Sequence, residues 1–101
     1  MIETYFLVPT KSNEGKPFAR SMFRELESKL ADRFGGWTKA GQVQGGWRDD
    51  RGKMIHDRSE KYIVAVEKVT DLVDLIVRWV RRQWEQDCIY FSALGTVELI
   101  R

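Results

Sequence analysis

Arg82-Gln83-Trp84-Glu85-Gln86-Asp87-Cys88-Ile89-Tyr90-Phe91 joins the best helix signal in the chain to a short apolar strand. Upstream, Leu72, Val73, Ile76, Val77, Trp79, Val80 and Trp84 make a wide apolar face with helical periodicity. Thr70 suits the N-cap. Asp71 and Asp74 in the first turn, and Arg78, Arg81 and Arg82 near the end, follow the preference of the helix dipole. Downstream, Cys88 to Ser92 reads as a strand, Leu94-Gly95 as a turn and Thr96 to Ile100 as a last strand. Glu85, Gln86 and Asp87 fall at the junction. A helix end beside a strand entrance leaves backbone groups free, and a small ligand can sit there.

The remainder of the chain supplies partners for this unit. Ile2 to Val8 is rich in β-branched and aromatic residues and is closed by Pro9, which predicts a strand. Lys11 to Lys16 is a polar loop, and Pro17 suits the first turn of a helix. Phe18, Met22, Phe23, Leu26, Leu30 and Phe34 then recur at helical spacing until Gly35-Gly36 ends the run. Asp49-Asp50-Arg51-Gly52 is a turn signal between two strands, the first weakened by Gly45 and Gly46. The second begins near Met54 and is clearest at Tyr62-Ile63-Val64-Ala65-Val66, with Asp57, Arg58, Ser59 and Glu60 on or beside it.

The element order is β-α-β-β-α-β with one further strand. It predicts an α+β, ferredoxin-like sandwich formed by residues 1–101 as a single domain, an antiparallel sheet with two helices on one face. The candidate central strands are apolar on both faces, since Tyr5 and Leu7 alternate with Phe6 and Val8, and Ile63 and Ala65 with Val64 and Val66. A half-solvated sheet would alternate with polar residues. A second copy of the chain is the expected cover, which makes a homo-oligomer with sites near subunit boundaries.

Composition excludes several classes. Apolar residues make up 43% of the chain, enough for a core. Seventeen basic and 15 acidic residues give a net charge of +2, too balanced to imply nucleic acid by electrostatics. Cys88 is the one cysteine, so there is no disulfide framework and a reduced cytoplasm is expected. No basic region precedes a long apolar run, and we expect no signal peptide and no membrane span.

Few residues suggest chemistry directly. His56 beside Asp57 could ligate a metal, but a plain strand histidine is favoured. No hydroxyl or thiol occupies a nucleophile elbow. Gly45-Gly46 does not precede a helix and is no phosphate loop. A solvated helix face beside a core face accounts for Arg78, Arg81 and Arg82 with Trp79 and Trp84 as well as a nucleic-acid contact does. Glu60 and Gln86 are more informative. Each stands ahead of an apolar strand, and the sandwich topology brings both toward the same end or edge of the sheet, within one subunit or across a contact. Trp47 adds a flat aromatic surface. A carboxylate, an amide and an indole suit a cationic, ring-bearing ligand. From spacing alone, an exposed Glu, an exposed Gln and a core Trp remain the favoured description.

Trp84-Glu85-Gln86-Asp87-Cys88, followed by Ile89 and Tyr90, resembles a run in phage-encoded S-adenosylmethionine lyases, long called S-adenosylmethionine hydrolases. Glu60-Lys61 before Ile63, Val64 and Val66 resembles the acidic strand entrance of that family. Gly46-Trp47-Arg48-Asp49 resembles a segment with an aromatic residue, normally Tyr, where this chain has Trp. The resemblance covers roughly residues 45 to 92. It implies conversion of S-adenosylmethionine to methylthioadenosine and L-homoserine lactone by attack of the substrate's own carboxylate, with no metal or cofactor. It also implies a trimer, and a phage-type role of draining the methyl donor. Glu60 and Gln86 would be catalytic, with Trp47, Glu60, Gln86 and Asp57 binding substrate. Gly45-Gly46-Trp47-Arg48-Asp49 with Gly52, Asp57 and Ser59 also resembles small bacterial ferredoxin-like proteins of unassigned function, whose acid falls where Asp57 stands. A non-catalytic small-molecule-binding or protein-interaction module on the same oligomeric fold is the alternative.

Overall fold

Alternation along the first strand decides which side of the sheet is covered. In β1 (Ile2–Pro9) Thr4, Phe6 and Val8 are buried, and Tyr5 and Leu7 are half-buried. Helix α1 (Arg20–Phe34), β2 (Thr38–Arg48), β3 (Met54–Val66), a second helical stretch α2, β4 (Ile89–Ala93) and β5 (Thr96–Ile100) follow in the computed structural model, which describes residues 1–101. Here α2 comprises Val69–Leu75, a π-wound Ile76–Val80 and Arg81–Gln83 without a break.

The sheet is antiparallel in the order β2-β3-β1-β4-β5. Leaving β5 aside, this is the ferredoxin-like order, with β1 and β3 central and the extra strand added beside β4. Tyr62, Val64 and Val66 of β3 point to the same side as Phe6 and Val8. Leu26 and Leu30 of α1, with Leu72, Leu75, Ile76 and Val80 of α2, pack onto that side. Thr4 satisfies its buried hydroxyl by donating to the Val64 carbonyl at 2.8 Å.

The other face carries neither helix. Tyr5, Leu7, Ile63 and Tyr90 lie on it; the Tyr5 and Tyr90 rings stack 6.1 Å apart and Lys61 Nζ stands 4.2 Å from the Tyr5 ring centre. Val97 and Leu99 of β5 extend this apolar surface, Leu99 with half of its area exposed at 51%. No helix of the structure is long and apolar enough to cross a membrane.

Several boundaries differ from the sequence reading. Pro17 is outside α1, held in an extended bridge to Lys11, because Phe18 N–H donates to the Thr10 carbonyl and keeps the chain extended until Ala19. Lys68, not Thr70, is the N-cap residue of α2. The strand containing Glu60 starts at Met54, where the sequence places it, but Glu60 lies well inside that strand and not ahead of it. β4 is displaced one residue, to Ile89–Ala93, by the turn that closes α2.

Candidate functional site

The small loop between β1 and α1 sets one wall of a cleft. The Ser12 hydroxyl accepts the N–H groups of Glu14 and Lys16, and Ser12 N–H donates to the Lys16 carbonyl. The loop delivers Phe18 onto Trp84, with ring centres 5.9 Å apart. Phe23, in the first turn of α1, meets Trp84 edge-on at 5.3 Å, and Trp79 closes the cluster at 5.9 Å. Trp84 is fully buried, and its indole N–H has no hydrogen-bond partner. Phe18 and Phe23 turn their other sides to a cleft of about 480 Å³ between the start of α1 and the β2–β3 half of the sheet. That volume is in the range of small-molecule sites.

A bulge in β2 sets the opposite wall. Lys39 pairs with Tyr62 and Gln42 with Glu60, so β2 spends one residue more than β3 over this interval. Gly41, at φ 93°, absorbs the extra residue in the left-handed region. Without the bulge Gln42 would point to the other face. With it, Gln42 Nε2 donates to Glu60 Oε1 at 3.0 Å, and both residues line the cleft on the side of the sheet that bears the helices.

Two carboxylates meet the cleft in different electrostatic states. Glu27 Oε2 accepts from the Tyr62 hydroxyl at 2.7 Å and pairs with Lys39 Nζ at 3.5 Å. Burial, the hydrogen bond to Glu27 and the charges of Glu27 and Glu60 push the Tyr62 phenol well above its ordinary pKa. Tyr62 is therefore a neutral donor fixed on Glu27. Glu60 has no cationic partner, since the two ion pairs of the chain are Lys39–Glu27 and Arg78–Asp74. Its charge is met by one neutral amide. A half-buried carboxylate in that state favours a cationic ligand.

The structure gathers some of the residues singled out in the sequence and separates others. Glu60 is in the cleft. Gln86 lies three residues before β4, at the end of the sheet to which Glu60 also belongs, because β4 runs antiparallel to β1 and Val8 pairs with Glu60. Its amide is turned back to donate to the Trp84 carbonyl at 2.8 Å, and it is not part of the cleft wall. Phe18 and Phe23, which line the cleft, pack on Trp84, whose carbonyl holds the Gln86 amide. Trp47 and Asp57 face the other way. The unbroken register from Gln42–Glu60 to Arg48–Met54 puts Trp47 with Ile55, and Gly45 with Asp57, on the face opposite Glu60. The Asp57 carboxylate lies over Gly45, where a Cβ would come within 2.9 Å of it. Trp47 is 54% exposed on a hairpin arm that extends beyond the last β1 link, Thr10 N–H to the Arg58 carbonyl. Within one chain, Glu60 does not share a pocket with Trp47 or Asp57.

Sequence reasoning missed Glu27, Lys39, Gln42, Arg20 and Arg24, all of which line the cleft. Gly41 alone carried a signal, as a glycine inside a strand pattern marks a bulge. No group of three or more His, Cys, Asp or Glu side chains, His56 and Asp57 included, is placed to hold an ion.

No protein-family model and no curated protein matches this chain. Two solved structures share its fold. A phage SAM lyase in complex with S-methyl-5'-thioadenosine superposes with a TM-score of 0.71 at 13% identity, over 98% of this chain and 88% of the other. A phage SAM lyase in its apo state superposes with a TM-score of 0.63 at 12% identity, over 96% and 83% of the two chains. At these identities the likeness is one of fold.

Proposed function

We propose that residues 1–101 act as a single domain that binds S-adenosylmethionine and cleaves it to methylthioadenosine and L-homoserine lactone. The observation that carries this reading is the unpaired Glu60 carboxylate in a cleft of the fold shared with the phage SAM lyases. That one of those lyases holds S-methyl-5'-thioadenosine supports the same ligand class here.

In the proposed reaction a carboxylate oxygen of the substrate attacks its own Cγ. The O–Cγ bond forms as the Cγ–S bond breaks, and the sulfonium leaves as a neutral thioether. No proton moves, so Glu60 is not a general base. Two opposite charges of the substrate neutralise as the ring closes, and a site that solvates them less well than water favours the transition state. The protein's remaining task is to hold the methionine arm folded with the reacting atoms about 3–3.5 Å apart. Glu60, oriented by Gln42, attracts the cationic centre.

The uncovered sheet face supports a homo-oligomer, a trimer by the family resemblance. Trp47 and Asp57 point away from Glu60 in their own chain, so in this reading a second copy brings them to the cleft, with Trp47 against the adenine or ribose. Gln86 acts at the same boundary after exchanging its bond to the Trp84 carbonyl for one to the ligand. The free thiol of Cys88 suits a reducing cytoplasm. The separation of Trp47 and Asp57 from Glu60 favours, as a second reading, a non-catalytic binding or interaction module of the same fold.

Chromatography after incubation with S-adenosylmethionine tests the proposal. Methylthioadenosine with homoserine lactone is the expected outcome, and its loss in Glu60→Gln assigns the acid. Unchanged substrate at high protein concentration overturns the lyase reading and leaves the binding module.

A further inference from the structure

The cationic side chains of the cleft are not equivalent. Lys39 is committed to Glu27 at 3.5 Å. Arg20 and Arg24 also line the cleft, yet neither is in an ion pair or donates a side-chain hydrogen bond. They are four residues apart on α1 and so project from one side of it. Arg20 opens the helix, where a positive charge opposes the dipole, and no acidic residue occupies the first turn. Two adjacent positive charges there weaken the helix, and no partner in the fold offsets them. Across the cleft stands Glu60, the one lining carboxylate without a cation.

We propose that the cleft is a two-pole site for a zwitterionic α-amino acid, in which Arg20 and Arg24 take the ligand's carboxylate while Glu60 takes its cationic side. The proposal rests on the S-adenosylmethionine reading and adds the residues that recognise the acid end. Paired arginines suit a carboxylate because their planar N–H forks match its two oxygens. The cleft volume accommodates a methionine arm lying between the walls.

The chemistry constrains what these arginines do. The carboxylate is the nucleophile and loses its charge as the lactone closes. An arginine therefore holds it more tightly in the ground state than in the transition state. Such contacts lower KM without raising kcat. Arg20 and Arg24 are thus binding and specificity residues.

The test is calorimetric binding to wild type and to the double variant Arg20→Gln, Arg24→Gln, using S-adenosylmethionine, its decarboxylated analogue and methylthioadenosine. Both sites are exposed on the helix, where Gln and Arg have similar propensity. The double variant is expected to bind S-adenosylmethionine about two- to thirtyfold more weakly, the size of two solvent-screened charge contacts. Its affinity for methylthioadenosine stays as in wild type, and its affinity for the decarboxylated analogue, a dication, is unchanged or higher. In turnover the same variant raises KM and leaves kcat unchanged or higher. The double variant Arg82→Gln, Arg101→Gln, with both residues exposed outside the cleft, removes the same two charges, leaves all three affinities unchanged and controls for net charge. Equal losses for S-adenosylmethionine and its decarboxylated analogue, or no loss for either, overturn the two-pole site while the binding of methylthioadenosine upholds the wider reading. A wild-type chain that binds none of the three overturns both.

Discussion

Replacing Glu85 by glycine is expected to stabilise the protein. α2 closes in a Schellman turn, with Gln86 N–H donating to the Arg81 carbonyl at 2.9 Å and Glu85 N–H to the Arg82 carbonyl at 3.1 Å. Glu85 takes the left-handed position of that turn, at φ 52°, where glycine is the usual residue. Its side chain is exposed and makes neither a hydrogen bond nor an ion pair. The left-handed conformation costs a residue with a Cβ about 1–2 kcal/mol. Glycine loses about 0.5–1 kcal/mol more backbone entropy on folding. Taken at their midpoints, the two terms leave about 0.75 kcal/mol in favour of glycine, or an increase of about 3–6 °C in Tm for a chain of this size. A carboxylate beside a helix C-terminus is also unfavourable, so Glu85→Ala gains the electrostatic part without relieving the strain. Urea denaturation of wild type, Glu85→Ala and Glu85→Gly separates the two contributions. Glu85→Gly no more stable than Glu85→Ala would refute the assignment of strain to this turn.

Two further outcomes follow from local geometry. In the β4–β5 hairpin, Leu94 and Gly95 sit at φ 54° and 77°, a pair of positive angles that suits Asn-Gly. Leu94 is almost wholly exposed, so Leu94→Asn should stabilise by about 0.5–1 kcal/mol in a chemical melt, and a loss of stability would show that the leucine has contacts beyond this chain. Tyr62 gives a pH signature. Its phenol keeps its proton in the native state above the pH at which the unfolded chain releases it, so the native state binds more protons above about pH 10. Stability is therefore full below pH 10 and falls by about 1.4 kcal/mol per pH unit above it. Tyr62→Phe should lose about 1–2 kcal/mol at neutral pH with the Glu27 hydrogen bond and show a shallower alkaline slope; parallel curves would mean that Tyr62 titrates normally.

Much of the fold is legible because local and global signals agree. The period-2 alternation of Thr4, Phe6 and Val8, the i, i+4 pair Leu26 and Leu30, the Gly35 stop and the turns at Asp49–Gly52 and Leu94–Gly95 each mean the same thing locally and in the sheet. The π turn was hidden because Ile76, Val80 and Trp84 keep helical spacing through it, while the wider backbone shows in bonds such as Arg81 N–H donating to the Ile76 carbonyl. The site was less legible. Glu60 stands out by sequence, but the side chains around it come from elements far apart in the chain, joined by packing and by one bulge. The separation of Trp47 and Asp57 from Glu60 follows from strand parity, which required the length of β3 and its register with β2.

The central claim is that Glu60 recognises positive charge. Its most direct test is the calorimetric affinity of S-adenosylmethionine against S-adenosylhomocysteine, which lacks the methyl group and the sulfonium charge, for wild type and Glu60→Gln. Wild type is expected to prefer the sulfonium about two- to fivefold, the worth of one partly screened charge contact, and Glu60→Gln to bind both ligands alike. A variant that kept the wild-type preference would contradict the claim.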